Sequence, residues 1–380
     1  MAFDFDTPVD RRGTASEKWD RYKGRDVLPM WVADMDFRSP PAVIEALHRR
    51  ADHGVFGYTR PPDDLIDAVL AMLRRLYGWA VEAEWLVWLP GLGVGLNLVC
   101  RAMAEEGDDV LTVVPIYPPF LSAPGRAGRN RVTVPLVRDG GRWVMDLDAV
   151  ERAVTPRTRL LLLCNPHNPT GRLYSTGELL ALLDLCRRHD LAVCSDEIHC
   201  GLILDEGRSH VPTAMLSPDA GERTITLMAP SKTFNLPGLR CSFAVISNAE
   251  LRERFKKARL GLVAGNNIFG YAAALAAYRD SADWHAALLD YLRGNRDCVE
   301  GAVADMPGLE MTHVEATYLA WIDARGLGQD DPAALFEAAG VGLSGGKEFG
   351  TPGFVRLNFG CPRATLVEAL GRMRRAVESL

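Results

Sequence analysis

Lys232 stands in the stretch Ala229-Pro230-Ser231-Lys232-Thr233-Phe234-Asn235-Leu236-Pro237-Gly238-Leu239-Arg240, directly after the apolar run Ile225 to Met228. The chain carries only six lysines against thirty-seven arginines. An amine held among small, hydroxyl and apolar neighbours is pushed toward its neutral form by desolvation. A neutral amine is the form that condenses with an aldehyde to a Schiff base. Taken alone, such a lysine reads as an exposed loop residue, so the weight falls on what accompanies it.

Asp196, in Ser195-Asp196-Glu197-Ile198-His199, lies thirty-six residues before Lys232 and follows the apolar run Leu191 to Cys194. A free carboxylate after a buried strand is costly unless paired with a cation; alone, it reads as a turn or helix cap. Asn165-Pro166-His167-Asn168-Pro169-Thr170-Gly171 has two Asn-Pro steps, which build a rigid turn. Pro90-Gly91-Leu92-Gly93-Val94-Gly95-Leu96-Asn97 joins a strand to a helical run. That form suits an anion at a helix N-terminus. It is also a near miss to a dinucleotide fingerprint, with Leu96 where the third glycine belongs. An NAD-dependent oxidoreductase would rest on that loop alone. Arg356, in Val355-Arg356-Leu357-Asn358-Phe359-Gly360, is either a structural ion pair or a fork for a carboxylate. Tyr117, in Pro115-Ile116-Tyr117-Pro118, is either a core tyrosine or a stacking platform.

These residues need a scaffold of alternating elements. Leu86–Leu89, Val110–Val114, Leu160–Cys164, Leu191–Cys194, Thr224–Met228 and Ser242–Ile246 read as buried strands. Leu179 to His189 reads as a helix opened by a capping box, Ser175 capping and Glu178 reaching back. Another helix is predicted from Ser39-Pro40-Pro41 to about Gly54. Strands alternating with helices predict an α/β fold with a mainly parallel sheet covered on both faces. After about residue 280 the pattern changes to one long helix over Ala282–Met306, strands at Thr317–Ile322 and Phe354–Asn358, and a closing helix over Arg363–Leu380. The expected division is a large domain over 50–280 and a smaller α+β domain from 1–49 with 281–380.

At 380 residues, 48% of them hydrophobic, the chain can bury a large core. A net charge of −6 argues against nonspecific nucleic-acid binding, which needs a basic face. Eight cysteines with no Cys-x-x-Cys pair predict reduced, buried thiols, and no metal-ligand spacing appears. Met1 to Asp6 is acidic and lacks the apolar core of a signal peptide, and no apolar run reaches membrane-spanning length. The expectation is a cytoplasmic protein with no membrane, metal or nucleic-acid partner.

In order along the chain, these motifs resemble the fold-type I pyridoxal 5'-phosphate (PLP) enzymes of the aspartate aminotransferase superfamily. In particular they resemble the bacterial cystathionine β-lyases, the MalY/PatB type of C–S lyase. Arg11-Arg12-Gly13-Thr14, Lys18-Trp19-Asp20, Trp31-Val32-Ala33-Asp34-Met35-Asp36-Phe37 and Thr317-Tyr318-Leu319-Ala320-Trp321 extend the likeness over nearly the whole chain.

The resemblance implies a fold-type I transferase architecture and a role for each matching residue. Lys232 would be the cofactor lysine and catalytic base, and Asp196 the partner of the pyridinium nitrogen. Asn168 and His199 would reach the phenolic oxygen; histidine at the second position is typical of the lyase branch, where many aminotransferases have tyrosine. Tyr117 would stack on the ring. Gly91, Leu92, Gly93, Ser231 and Arg240 would hold the phosphate, and Arg356 the substrate α-carboxylate. Tyr58, in Phe56-Gly57-Tyr58-Thr59, would reach the phosphate of a neighbouring subunit, which implies a homodimer. Two departures stand out: Ala229 where many relatives place a phosphate-binding serine, and Gly201 where many carry an acidic residue. The implied reaction is α,β-elimination of L-cystathionine or a related cysteine S-conjugate to pyruvate, ammonia and a thiol. An aminotransferase on an amino-acid substrate shares every step up to the carbanion and is the alternative. A regulatory role, binding a transcription factor, is the non-enzymatic one.

Overall fold

The computed structural model describes residues 3–380; Met1 and Ala2, the start of the acidic opening segment, lie outside the described residues. The six apolar runs become strands of one seven-stranded sheet, joined by an edge strand that the sequence pattern did not disclose. In chain order the strands are β1 (Leu86–Leu89), β2 (Asp109–Val114), β3 (Asn130–Pro135), β4 (Thr158–Cys164), β5 (Ala192–Asp196), β6 (Thr224–Met228) and β7 (Ser242–Val245). Their spatial order is β1-β7-β6-β5-β4-β2-β3. All neighbouring pairs are parallel except those made by β7, which runs antiparallel to both β1 and β6. Every residue of β1, β6 and β7 is buried, as a strand covered on both faces requires.

The helix α1 (Pro41–Asp52) packs on α6 (Ile268–Asp280), and the helices that cover the sheet include α2 (Asp63–Tyr77), α3 (Leu92–Met103), α4 (Pro118–Arg126), α5 (Thr176–Arg188) and α6. In α5 the Ser175 hydroxyl accepts from the Glu178 amide while the Glu178 carboxylate accepts from the Ser175 amide, forming the expected capping box. A cap of this kind stabilises a helix by about 1 kcal/mol. Proline opens α1 and α4, where its missing N–H leaves no partner unsatisfied.

Beyond the large sheet, α7 (Ala282–Ala304) leads into a four-stranded antiparallel sheet closed by α8 (Arg363–Glu378). Its strands are β8 (Glu310–Met311), β9 (Leu319–Asp323), β10 (Ser344–Gly345) and β11 (Phe354–Asn358), ordered β8-β9-β11-β10. One buried core unites this sheet, α7 and α8 with Phe5, Met30, Met35, Phe37 and Val43 from the N-terminal segment. It also takes in Leu202, Leu204, Phe234 and Leu236, so the two halves of the molecule meet around the loops that follow β5 and β6. No helix among the described residues is long and apolar enough to cross a membrane. The eight cysteines are free.

Candidate active site

In a sheet of this kind ligands collect beyond the carboxyl ends of the parallel strands. Gly91 follows β1, Tyr117 follows β2, Asn168 follows β4, Asp196 is the last residue of β5 and Lys232 follows β6. Asp196 therefore sits on its strand, which runs two residues past the Cys194 end expected from the sequence. Arg240 precedes β7, but β7 runs the other way, so its amino end reaches the same edge. Together with His199, Ser231 and Arg356 these side chains line one cavity of 850 Å³. Gly91, Leu92 and Gly93 form its wall at the start of α3, and Val32, Ala33, Cys164 and Ala229 also line it.

The amide end of α3 is built for an anion. Gly91 has φ 155°, a conformation that side chains rarely adopt, and no side chain caps the helix behind it. The first-turn amides are thus left free, with a favourable helix dipole, and Arg240 and Ser231 line the same cavity. Ala229 offers no hydroxyl there, and Ser231 is the nearby residue that does.

Asp196 is buried, and its carboxylate accepts a hydrogen bond from the Ile198 amide at 3.1 Å. No cationic side chain forms an ion pair with it among the described residues. Burial pushes its carboxyl up to about 7. Such a group is matched by a cationic nitrogen on a ligand. Its neighbour Glu197 is the opposite case. The Glu197 carboxylate accepts from the Ser195 hydroxyl at 2.8 Å and the Thr213 amide at 2.9 Å, and pairs with His210 Nε2 at 2.7 Å. Glu197 holds the core behind β5.

Arg356, on β11, is buried without a carboxylate partner among the described residues. It donates to Asn168 Oδ1 at 3.0 Å and to the Trp31 carbonyl at 2.7 Å, its Nε is unpaired, and it lies 4.8 Å over the Phe349 ring. Burial pushes the guanidinium down to about 10. A planar, desolvated fork with a free nitrogen is suited to a carboxylate ligand.

The Lys232 amine donates to the Ala33 carbonyl, and burial lowers it to about 8. The Tyr318 hydroxyl donates to the same carbonyl at 3.0 Å. On the sequence Tyr318 is only part of the family-like stretch Thr317 to Trp321, and nothing there marks this contact. His199 is buried edge-on to Tyr318, with rings 6.1 Å apart, and its Nδ1 has no partner. Burial holds that imidazole well below its usual pKa, so it is neutral. Trp321, by contrast, packs flat on Phe354 in a separate core cluster. The N-terminal stretch Trp31 to Phe37 gave a motif but no role in the sequence; the structure lays it across the cavity.

Tyr58 does not line this cavity. It is fully exposed in a stretch that also exposes Val55 and Phe56. At Gly201, the second departure, an added Cβ would fall 2.6 Å from the Thr233 hydroxyl, so a larger residue there requires Thr233 to move. Among the described residues no cluster of histidine, cysteine and carboxylate side chains is arranged for a metal.

An unpaired buried carboxylate, a helix amide end with an arginine, and a lysine of lowered basicity fit the nitrogen, phosphate and aldehyde of one aromatic cofactor. The chain belongs to the aminotransferase class I and II family, whose model matches residues 25–373. It is 39% identical over 386 residues to cystathionine beta-lyase PatB of Bacillus subtilis, covering 98% of this chain and 99% of that one. Among solved structures it is similar to OvoB, at 49% identity and a TM-score of 0.98, with all of both chains covered. It is similar also to the PLP-bound C–S lyase from Staphylococcus hominis, at 32% identity and a TM-score of 0.93, covering 99% of this chain and 98% of that one.

Proposed function

We propose that this chain is a PLP-dependent carbon–sulfur β-lyase acting on L-cystathionine or a related cysteine S-conjugate. The observation that carries the reading is the convergence of three desolvated groups on one cavity: the Lys232 amine, the unpaired Asp196 carboxylate and the unpaired Arg356 guanidinium. Bound there, PLP supplies an electron sink for the charge left at Cα when its proton is removed.

The chain's own residues do the rest. Asp196 keeps a proton on the ring nitrogen, and that pairing removes the penalty of its own burial. Arg240, Ser231 and the amides of Gly91, Leu92 and Gly93 hold the phosphate. Tyr117 covers a ring face. Asn168 and neutral His199 address the phenolic oxygen. Arg356 grips the substrate α-carboxylate, exchanging the Trp31 carbonyl for a charged partner. Lys232, with an amine poised near neutrality, takes the Cα proton. With Cα aligned, the Cβ–S bond breaks; one water enters overall, and pyruvate, ammonia and a thiol leave. Tyr58 acts from a second copy of the chain, which makes the working unit a homodimer, placed in the cytoplasm.

A substrate panel tests the reading. L-Cystathionine should yield pyruvate, ammonia and homocysteine without an added keto acid. If it gives no pyruvate, and an amino acid without a β-leaving group turns over only with a keto acid, the chain is an aminotransferase.

A further inference from the structure

The stretch from Trp31 to Phe37 crosses the cavity as a strap whose carbonyls are nearly all held by side chains. Arg356 and the Ser344 hydroxyl take the Trp31 carbonyl, at 2.7 and 3.0 Å. The Asn358 amide bridges the carbonyls of Val32 and Asp34, at 2.6 and 2.7 Å. Lys232 and Tyr318 share the Ala33 carbonyl. Asn235 takes the carbonyls of Met35 and Phe37, both at 2.8 Å, and returns its own oxygen to the Met35 amide. Backbone held this way fixes the Ala33 carbonyl against Lys232.

Behind the strap lies a four-charge cluster. Arg11 forks onto both oxygens of Asp34, at 3.1 and 2.7 Å, and also reaches Asp36 at 2.7 Å. Lys18, fully buried, bonds Asp36 at 2.7 Å and stands 3.6 Å from Asp34. Trp19 Nε1 completes Asp36 at 2.8 Å. Asp36 is thus saturated by partners on its own side. Asp34 is held as well, by both nitrogens of Arg11, but it also adjoins Ala33, whose carbonyl accepts from the Lys232 amine.

We propose that Asp34, fixed by Arg11 and Lys18, is a positioning residue whose carboxylate sets the protonation of the Lys232 nitrogen through the Ala33–Asp34 segment. The inference rests on the reading of Lys232 as the cofactor lysine. The groups that act on that nitrogen or share its hydrogen-bond partner are Asp34, Arg356, Asp196, His199 and Tyr318. Desolvation lowers the amine, Arg356 lowers it further, and Asp34 is the largest charge acting to raise it, ahead of Asp196. Burial raises the Tyr318 hydroxyl on the shared carbonyl, and the same carboxylate adds to that rise. A base that must accept a proton from carbon gains from a nearby negative charge, because its protonated form is then stabilised.

The test is a spectrophotometric pH titration of the visible absorption band of the holoenzyme, alongside thermal melting. Asp34→Asn should lower the titration midpoint by about half a unit or more, since removing an anion disfavours the protonated nitrogen. Asp34→Glu should restore the midpoint. Arg11→Gln, which frees Asp34 without removing its charge, should move the midpoint by less than Asp34→Asn. An unchanged midpoint in Asp34→Asn, with or without a lower melting temperature, makes the cluster a structural clamp and overturns the proposal. So does an equal shift in Asp34→Glu and Asp34→Asn. Failure of the underlying reading looks different: the wild-type protein would show no visible band, or borohydride would fix the cofactor on another lysine.

Discussion

Asn168 Oδ1 accepts a hydrogen bond from Arg356 at 3.0 Å, tying the turn after β4 to a strand of the small sheet. One side chain thus touches both the fork expected to bind the substrate carboxylate and the site of the cofactor oxygen. Changing Asn168 to Asp should place a competing carboxylate on Arg356. The expected outcome is a rise in KM of about tenfold or more, corresponding to roughly 1.4 kcal/mol of lost substrate binding. Steady-state kinetics on a cysteine S-conjugate decide it; an unchanged KM would show that the carboxylate binds elsewhere.

Lys232 should carry the cofactor. The purified protein should be yellow, and borohydride should abolish the band while fixing the label on Lys232. Recovery of the label on Lys256 or Lys347 in a peptide digest would refute the assignment. Lys232→Ala should lose the band and turnover and keep its fold.

Asp196 and Glu197 are adjacent in sequence and separated in role. Asp196→Ala should reduce turnover on the order of a hundredfold, as loss of a preorganised charge does. Glu197→Ala breaks a buried network and should instead lower the melting temperature, with a smaller effect on turnover. Equal, mild losses of turnover in both variants would remove the ring-nitrogen role of Asp196.

The raised carboxyl of Asp196 also has a stability signature. In the cofactor-free protein the folded state holds this proton up to about pH 7, whereas the unfolded chain releases it near the ordinary carboxyl value of 3.8. The native state therefore binds more protons across that window, so stability falls as pH rises through it. Melting temperatures of cofactor-free wild-type protein and Asp196→Asn, measured from pH 4 to pH 8, should diverge, with the wild type losing ground toward pH 8. Parallel curves would contradict the shift.

Tyr58 should act across a dimer interface, since its own chain leaves it fully exposed and outside the cavity. Inactive Lys232→Ala and Tyr58→Phe subunits, exchanged into hybrids, should regain sites in which both residues are intact. Proven exchange without recovered activity would count against sharing.

The strands of the large sheet were legible because their covered faces demand unbroken apolar runs, and Thr224–Met228 and Leu86–Leu89 match residue for residue. The helix at Asp63–Tyr77 also shows its period, with Leu65, Val69, Met72 and Leu73 buried on one face. Ile268–Asp280 does not, because Tyr271, Ala273, Ala274, Ala276 and Ala277 are all buried and leave little polar contrast around the helix. The edge strand Asn130–Pro135 is mostly exposed and carries no apolar run to mark it. Within the site, Lys232, Asp196, Asn168 and Arg356 stood out by type and motif, while their roles came only through the family resemblance. The contribution of Ala33 was not, because it is made by a backbone carbonyl, and every residue has one.

The reversed direction of β7 has a consequence for how this chain can change over time. A parallel strand after β6 would have to start from the opposite edge of the sheet, with a crossover between. The antiparallel return keeps Lys232 and Arg240 at one edge, in the single connection over residues 229–241, with Pro230 and Pro237 stiffening it. That loop is a ruler. An insertion or deletion between Lys232 and Arg240 would alter the spacing of the two groups proposed to meet the aldehyde and the phosphate arm, which leave neighbouring atoms of one rigid ring. The exposed turn of the Val137–Val144 hairpin, at Gly140 and Gly141, faces no such constraint. Length variation among descendants of this sequence should therefore accumulate at the hairpin and be purged from the eight-residue interval beside it in function.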